Sequence, residues 1–160
     1  MRVADAEDLA QLPAVEAAAD EVFLPLGITD LPPPASAAER AGAWRVLVTG
    51  RPVDGFAVLE LLDGDVHLEQ LSVHPAAARQ GRGAALLAAA VGTARAGGAR
   101  RLTLTTYADV PWNGPWYARH GWRELREPTP ALRRLREAER AAGLDRHGRR
   151  VVMVREAGPG

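Results

Sequence analysis

Residues 71–87 read Leu-Ser-Val-His-Pro-Ala-Ala-Ala-Arg-Gln-Gly-Arg-Gly-Ala-Ala-Leu-Leu. An apolar strand end runs into an Arg/Gln/Gly turn, and the turn opens a helix whose apolar stripe is Leu86, Leu87, Ala90, Val91 and Ala94. Gly81 and Gly83 let the backbone approach a ligand closely, and a helix N-terminus presents unpaired N–H groups with partial positive charge. Arg79 and Arg82 add full charges. A diphosphate is the ligand such a turn fits, although on glycine spacing alone a tight turn that binds nothing fits equally well. The segment lacks the Gly-Lys-Ser/Thr ending of a nucleoside-triphosphatase loop, and its glycines do not follow the dinucleotide fingerprint.

Further along, Asn113 and Tyr117 stand at helical spacing, so both can face one ligand. In the strand before the turn, period-two alternation puts Glu69, Leu71 and Val73 on one face, opposite Leu68 and Gln70. An acid beside two apolar residues is either a functional carboxylate or part of a solvated rim. Glu60 and Asp109 are rival acids. The four histidines (67, 74, 120, 147) have no metal-ligand spacing, so no metal is expected.

The elements that must position these groups follow from periodicity. Val3 ends a short opening strand, and a helix from Asp5 carries Leu9, Leu12, Val15, Ala19, Val22 and Phe23 on one face, with Pro13 bending it or lying in its first turn. Four prolines mark Leu24 to Ser36 as a loop, and Ser36 with Glu39 forms a capping box for a helix over Ala37 to Ala43. Strands are predicted over Trp44–Thr49, Val53–Leu62 and Val66–Val73, joined by turns at Gly50-Arg51-Pro52 and Asp63-Gly64-Asp65. After the turn helix, Gly97-Gly98 stops the chain before a strand over Arg101–Tyr107. A helix over Pro111–His120, strands over Trp122–Leu125 and Val151–Val154, and a charged helix over Pro130–Ala142 complete the order. The class is mixed α/β, a hairpin meander followed by strand–helix–strand. One domain over residues 1–157 is expected, with a flexible tail at 158–160.

Composition sets outer bounds. The 160 residues hold 20 basic and 20 acidic side chains, a net charge of zero that argues against a nucleic-acid binder relying on a large positive field. With no cysteine there are neither disulfides nor thiolate metal sites. No secretory pattern or membrane-length apolar run is visible, so cytoplasmic location and no membrane partner are the expectation. Every basic side chain is arginine, so the chain offers no lysine of its own as an acyl acceptor.

The strand–turn–helix at 71–87 resembles motif A of the GNAT N-acetyltransferases, Gln/Arg-x-x-Gly-x-Gly/Ala, which cradles the pyrophosphate of coenzyme A. Two registers fit. One uses Gly81 and Gly83 and leaves Ala78 where Gln or Arg is usual; the other reads Gln80-x-x-Gly83-x-Ala85, and the first keeps the family's usual spacing to strand and helix. The block from Leu104 to Trp122 resembles motif B: Asn113, Tyr117 and Gly121 match, Asn113 and Tyr117 stand one residue closer than usual, and Trp122 replaces the usual Phe. The resemblance runs from the opening strand and Asp8-Leu9 through Trp122, and the tail from Glu127 points to a bacterial subgroup of unknown substrate.

This resemblance implies a GNAT acyl-CoA N-acyltransferase fold with a mixed, mostly antiparallel central sheet flanked by helices. It implies acetyl-CoA as co-substrate, bound by Leu71, Ser72, Val73, Arg79, Gln80, Gly81, Arg82, Gly83, Ala84, Asn113 and Tyr117. Glu69 is the implied base through water, a backbone N–H near Val73 the donor to the thioester oxygen, and Tyr117 the acid for the departing sulfur. Phe23, Tyr107 and Asp109 are candidate substrate-binding residues; with the Pro-rich loop, Trp44 and Trp112 they could wall a pocket for a small-molecule amine, or pack as core. A peptide amine as acceptor and a non-catalytic acyl-CoA-binding module are the alternatives. A homodimer covering an exposed sheet edge, for example at Val151–Val154, is a further possibility.

Overall fold

The structure, a computed structural model, describes residues 1–158; Pro159 and Gly160 of the expected tail lie outside the described residues. Seven strands, β1 (Arg2–Val3), β2 (Arg45–Thr49), β3 (Gly55–Leu62), β4 (Asp65–Val73), β5 (Arg101–Tyr107), β6 (Arg123–Glu124) and β7 (Arg150–Glu156), form a mostly antiparallel sheet in the order β1-β2-β3-β4-β5-β7-β6, with helices flanking it. By its contacts the chain resolves into two compact units.

The first unit comprises Met1–Glu60 and Leu68–Thr93. It opens with β1 (Arg2–Val3), α1 (Ala6–Leu9) and α2 (Leu12–Asp20), followed by a 3₁₀ turn at Glu21–Leu26. The single long helix expected from Asp5 is thus broken at Ala10-Gln11. Pro13 has no N–H to give to Leu9, so the chain restarts with Pro13 in the first turn of α2, where the missing donor costs nothing. Asp5 and Asp8 cap α1 reciprocally, the Asp8 amide donating to Asp5 at 2.9 Å and the Asp5 amide to Asp8 at 3.0 Å. The predicted box at α3 (Ala37–Ala41) forms as well, with Ser36 and Glu39 each satisfying the other's backbone amide.

Strand β2 (Arg45–Thr49) pairs antiparallel with β1 and with β3 (Gly55–Leu62), in register Leu47↔Ala57. The core here is Leu12 and Val15 of α2, both on the apolar face expected from the helical period, packed on Val46, Val48, Val53, Phe56 and Val58. Strand β4 (Asp65–Val73) then leads through a 3₁₀ turn at Pro75–Ala77 into α4 (Arg82–Ala96), whose Leu86, Leu87, Ala90 and Val91 are buried as its stripe requires.

The second unit comprises Leu61–His67 and the chain from Ala94 onward. Strand β5 (Arg101–Tyr107) pairs parallel with the start of β4 at Val66↔Leu102 and His67↔Thr103. It pairs antiparallel along its whole length with β7 (Arg150–Glu156), which also carries β6 (Arg123–Glu124). The helix expected over Pro111–His120 is shorter, α5 (Gly114–Arg119), because the chain first makes a turn closed by the Asn113 amide on Val110 O at 2.9 Å. Helix α6 (Pro130–Ala141) is capped by Thr129. Its Glu139 accepts from Thr105 (2.5 Å), Arg136 (2.5 Å) and Arg150 (3.0 Å). Burial works to raise the Glu139 carboxyl, but these donors outweigh it and hold it below its ordinary value.

His67 is buried and bonded through Nδ1 to Thr103 Oγ1 at 2.9 Å. Burial lowers its pKa to about 4, against a weak opposing pull from Glu139. The depressed value means the fold favours neutral His67, so the stability this provides is complete above pH ~6.5, the unfolded value, and is lost as the pH falls towards 4. Urea unfolding at pH 7.5 and at pH 4 should show wild type losing about 3 kcal/mol more than His67→Gln over that interval. Equal losses for the two proteins would show that His67 does not charge on unfolding.

Candidate functional site

In the first unit the turn between β4 and α4 has the features that anion binding needs. Gly81 takes φ +77°, a left-handed conformation glycine adopts freely, and Arg79 takes φ +59° two residues earlier. Left-handed residues in a turn bring successive amides to one concave side. The Ala85 amide is the first to bond back, to Gly81 O at 2.9 Å. Ahead of it, the amides of Arg82, Gly83 and Ala84 have no backbone acceptor among the described residues, as a helix N-terminus dictates. Gln80 is exposed and reaches back to Ala76 O at 3.1 Å.

The two arginines differ. Arg79 is exposed and makes neither ion pair nor hydrogen bond among the described residues. Arg82 is held, 3.3 Å from Asp54 Oδ2 and 3.3 Å from Thr49 Oγ1. Asp54 also accepts the His74 amide on its backbone oxygen at 2.8 Å, so one residue ties the end of β4 to the start of α4. No sequence pattern marks Asp54 for this role.

On β4 the observed alternation agrees with the expected one: Leu68 and Ser72 are buried, Gln70 donates to Ser72 on their shared face at 2.9 Å, and Leu71 and Val73 are partly exposed on the other. Glu69 is neither a free rim acid nor an isolated base. Its Oε2 is ion-paired and hydrogen-bonded to Arg40 Nη1, while its side chain remains 43% exposed. Arg40 is only 4% exposed; its Nη2 meets Glu16 at 2.7 Å and its guanidinium lies 5.7 Å from the centre of the Phe56 ring. Arg40 and Glu16 carried no signal in the sequence, since one arginine in a five-residue helix reads as surface. Glu60 accepts a backbone hydrogen bond from Trp44, and burial together with the Glu69 charge raises its carboxyl. Phe23 is partly buried on the 3₁₀ turn, where Val22, Leu24 and Leu26 are exposed.

In the second unit Asn113 stands immediately before α5, and its side chain does not cap the helix. Only glycine fits at 114, since a Cβ there would lie 2.4 Å from Ala108 O. That close approach seats α5 against the end of β5 and fixes where Tyr117 comes, one turn later. Tyr117 is packed edge-on against Trp116 and Trp122, with ring centres 5.0 and 5.8 Å away. Its hydroxyl has no hydrogen-bond partner among the described residues, and burial raises its pKa above the ordinary phenol value. Tyr107 is different: it is buried, its hydroxyl donates to Leu144 O at 3.0 Å, and Arg150 lies 4.7 Å from its ring centre. Asp109 is exposed, just beyond β5. Among the described residues no cluster of three metal-ligating side chains occurs, and no helix is long and apolar enough to cross a membrane.

A family model described as an acetyltransferase (GNAT) domain matches residues 39–124, a little over half of the chain. The chain belongs to the GNAT acetyltransferase family. The matched stretch runs from α3 through the turn to α5 and β6. Solved structures agree in fold. The Escherichia coli ribosomal-protein-S18-alanine N-acetyltransferase is 19% identical, with TM-score 0.67 over 99% of this chain and 94% of that one. The Thermoplasma acidophilum PaiA N-acetyltransferase, solved with coenzyme A, is 13% identical, with TM-score 0.64 over 98% and 99%. The Neisseria gonorrhoeae N-acetylglutamate synthase, solved with coenzyme A and N-acetyl-glutamate, is 23% identical, with TM-score 0.66 over 92% of this chain. This GNAT chain spans only 33% of the synthase's length.

Proposed function

We propose that this GNAT protein transfers acetyl from acetyl-CoA to a primary amine of a small molecule, by direct attack in a ternary complex. The observation that carries the reading is the turn at 79–84: a left-handed Gly81, amides at the start of α4 and an exposed Arg79 that have no partner among the described residues suit a diphosphate. Gly81 is the residue that needs the left-handed conformation, which favours the register using Gly81 and Gly83. Leu71, Ser72 and Val73 offer backbone groups to the pantetheine arm as an added strand would find them, and Asn113 offers its amide.

Acetyl-CoA supplies an acyl group already activated as a thioester. The protein's tasks are to accept a proton from the amine, to stabilise charge on the thioester oxygen and to protonate the departing sulfur. An alkyl ammonium has a pKa of about 10, so at neutral pH a proton must leave before nitrogen can attack. Glu69, whose side chain stays 43% exposed beside Arg40, takes that proton through water. A backbone amide near Val73 donates to the oxygen as the new C–N bond forms. Tyr117 donates from its hydroxyl to sulfur as the C–S bond breaks. The phenol keeps its proton throughout the working pH range because burial raises it. Phe23 and Asp109 remain candidates for the acceptor side. Tyr107 is engaged through its hydroxyl by Leu144 O and through its ring by Arg150, which makes it the weaker acceptor-side candidate.

Calorimetry with acetyl-CoA, free coenzyme A and desulfo-coenzyme A tests the donor half. A free-thiol assay with tyramine, spermidine, L-glutamate and a peptide beginning in alanine tests the acceptor half. Turnover of the small amines supports the proposal, turnover of the peptide alone redirects it to protein acceptors, and no binding at millimolar acetyl-CoA ends it. In the same titration Arg79→Ala should weaken coenzyme A about 10-fold, the worth of one hydrogen bond to a charged group. Arg82→Ala should weaken it less and should lower thermal stability instead, since Arg82 is tied to Asp54 and Thr49. The reverse ranking would place the phosphate contact on Arg82.

A further inference from the structure

The first unit contains a buried ion cluster that the proposed reaction does not itself require. A guanidinium that is 4% exposed stands between two carboxylates, Glu16 at 2.7 Å on Nη2 and Glu69 on Nη1. The partners are unequal, because Glu16 is buried and Glu69 is 43% exposed. Burying an arginine is costly unless its charge is compensated, and Glu16 alone would provide one compensating charge. The guanidinium also lies 5.7 Å from the centre of the Phe56 ring, a cation–π contact that adds to the hold on Arg40. Arg40 meets Glu16 through Nη2 and one oxygen of Glu69 through Nη1, while the Glu69 side chain stays 43% exposed.

We infer that Arg40 is a positioning residue for Glu69, with Glu16 as its buried anchor, so that the α2–α3 segment fixes the direction in which the Glu69 carboxylate receives a proton. This rests on the reading of Glu69 as proton acceptor. A glutamate on a strand face otherwise samples several rotamers, and a proton acceptor must stand within hydrogen-bond reach of its donor or of one water between them. Pairing one oxygen with a buried guanidinium restricts the rotamers open to the side chain. A misplacement of about 1 Å in such a group costs roughly 100-fold in rate, which sets the scale of the effect. The acceptor side is therefore organised from the α2–α3 segment as well as from β4, two elements that sequence separates by some thirty residues.

The test is a double-mutant cycle in kcat with acetyl-CoA, using tyramine first and then the other amines of the panel, for Arg40→Met, Glu69→Gln and the pair. Arg40→Met should lower kcat about 10- to 100-fold and leave the coenzyme A dissociation constant unchanged. Combined with Glu69→Gln it should add no further loss, because a positioner has no effect once the group it positions cannot accept a proton. Arg40→Lys should recover part of the loss. Arg40→Met strands Glu16 without a partner, so Arg40→Met/Glu16→Leu is measured alongside and carries the test if the single variant does not fold. Losses that multiply with Glu69→Gln, or an unchanged kcat in Arg40→Met or in Arg40→Met/Glu16→Leu, overturn the inference and leave the acetyltransferase reading intact. Wild-type protein that turns over none of the amines overturns that reading, and this inference with it.

Discussion

Tyr117→Phe is expected to lower kcat about 100-fold or more while leaving the coenzyme A dissociation constant within a factor of two or so. The substitution removes one oxygen and keeps the ring, so the edge contacts to Trp116 and Trp122 survive and α5 remains packed. That oxygen has no partner among the described residues, so removing it strands no protein group. The expected effect is therefore one of transition state rather than of folding or ground-state binding. Steady-state kinetics and calorimetry on the same preparation decide it. Equal losses in turnover and binding would mean that Tyr117 shapes the coenzyme site without donating to sulfur. The raised phenol also predicts that the alkaline side of the wild-type profile carries no limb from Tyr117 below pH ~10.

Glu69→Gln is expected to lower kcat by about 100-fold or more at neutral pH, the scale of general base catalysis. The deficit should shrink as the pH approaches 10, because a free amine no longer needs a base. A pH series of kcat/KM from 6.5 to 10 for wild type, Glu69→Gln and Glu60→Gln separates the two acids. Glu60 is the informative control, because burial and the Glu69 charge both hold its carboxyl above the ordinary value. A full deficit in Glu60→Gln with none in Glu69→Gln would transfer the proton-accepting role to β3. A deficit in Glu69→Gln that persists unchanged to pH 10 would assign Glu69 to acceptor binding.

Much of the local structure was legible without coordinates because its causes are local. The capping box at Ser36 and Glu39, the α4 stripe and the alternation on β4 are short-range patterns, and each appears where periodicity placed it. The Gly81 turn was legible for the same reason, since a left-handed residue between a strand and a helix calls for glycine. The long first helix is interrupted by a local cause: Pro13 ends one helix by standing in the first turn of the next. Tyr107 reads as a candidate substrate wall from its place at a strand end, yet Leu144 and Arg150 engage it from distant parts of the chain.

The sequence by itself determined the family, the order of elements, the glycine turn ahead of α4 and the short list of acids and hydroxyls, because motif spacing and periodicity are properties of neighbouring residues. Only the tertiary structure decided which of those groups are free and which are held. Arg79 and Arg82 look alike along the chain, but Asp54 and Thr49 occupy one and not the other. Glu69 reads as a lone carboxylate until α3 brings a buried guanidinium to it and α2 brings the counter-charge. Such pairings join residues far apart in sequence, and their strength depends on burial, which no local pattern encodes.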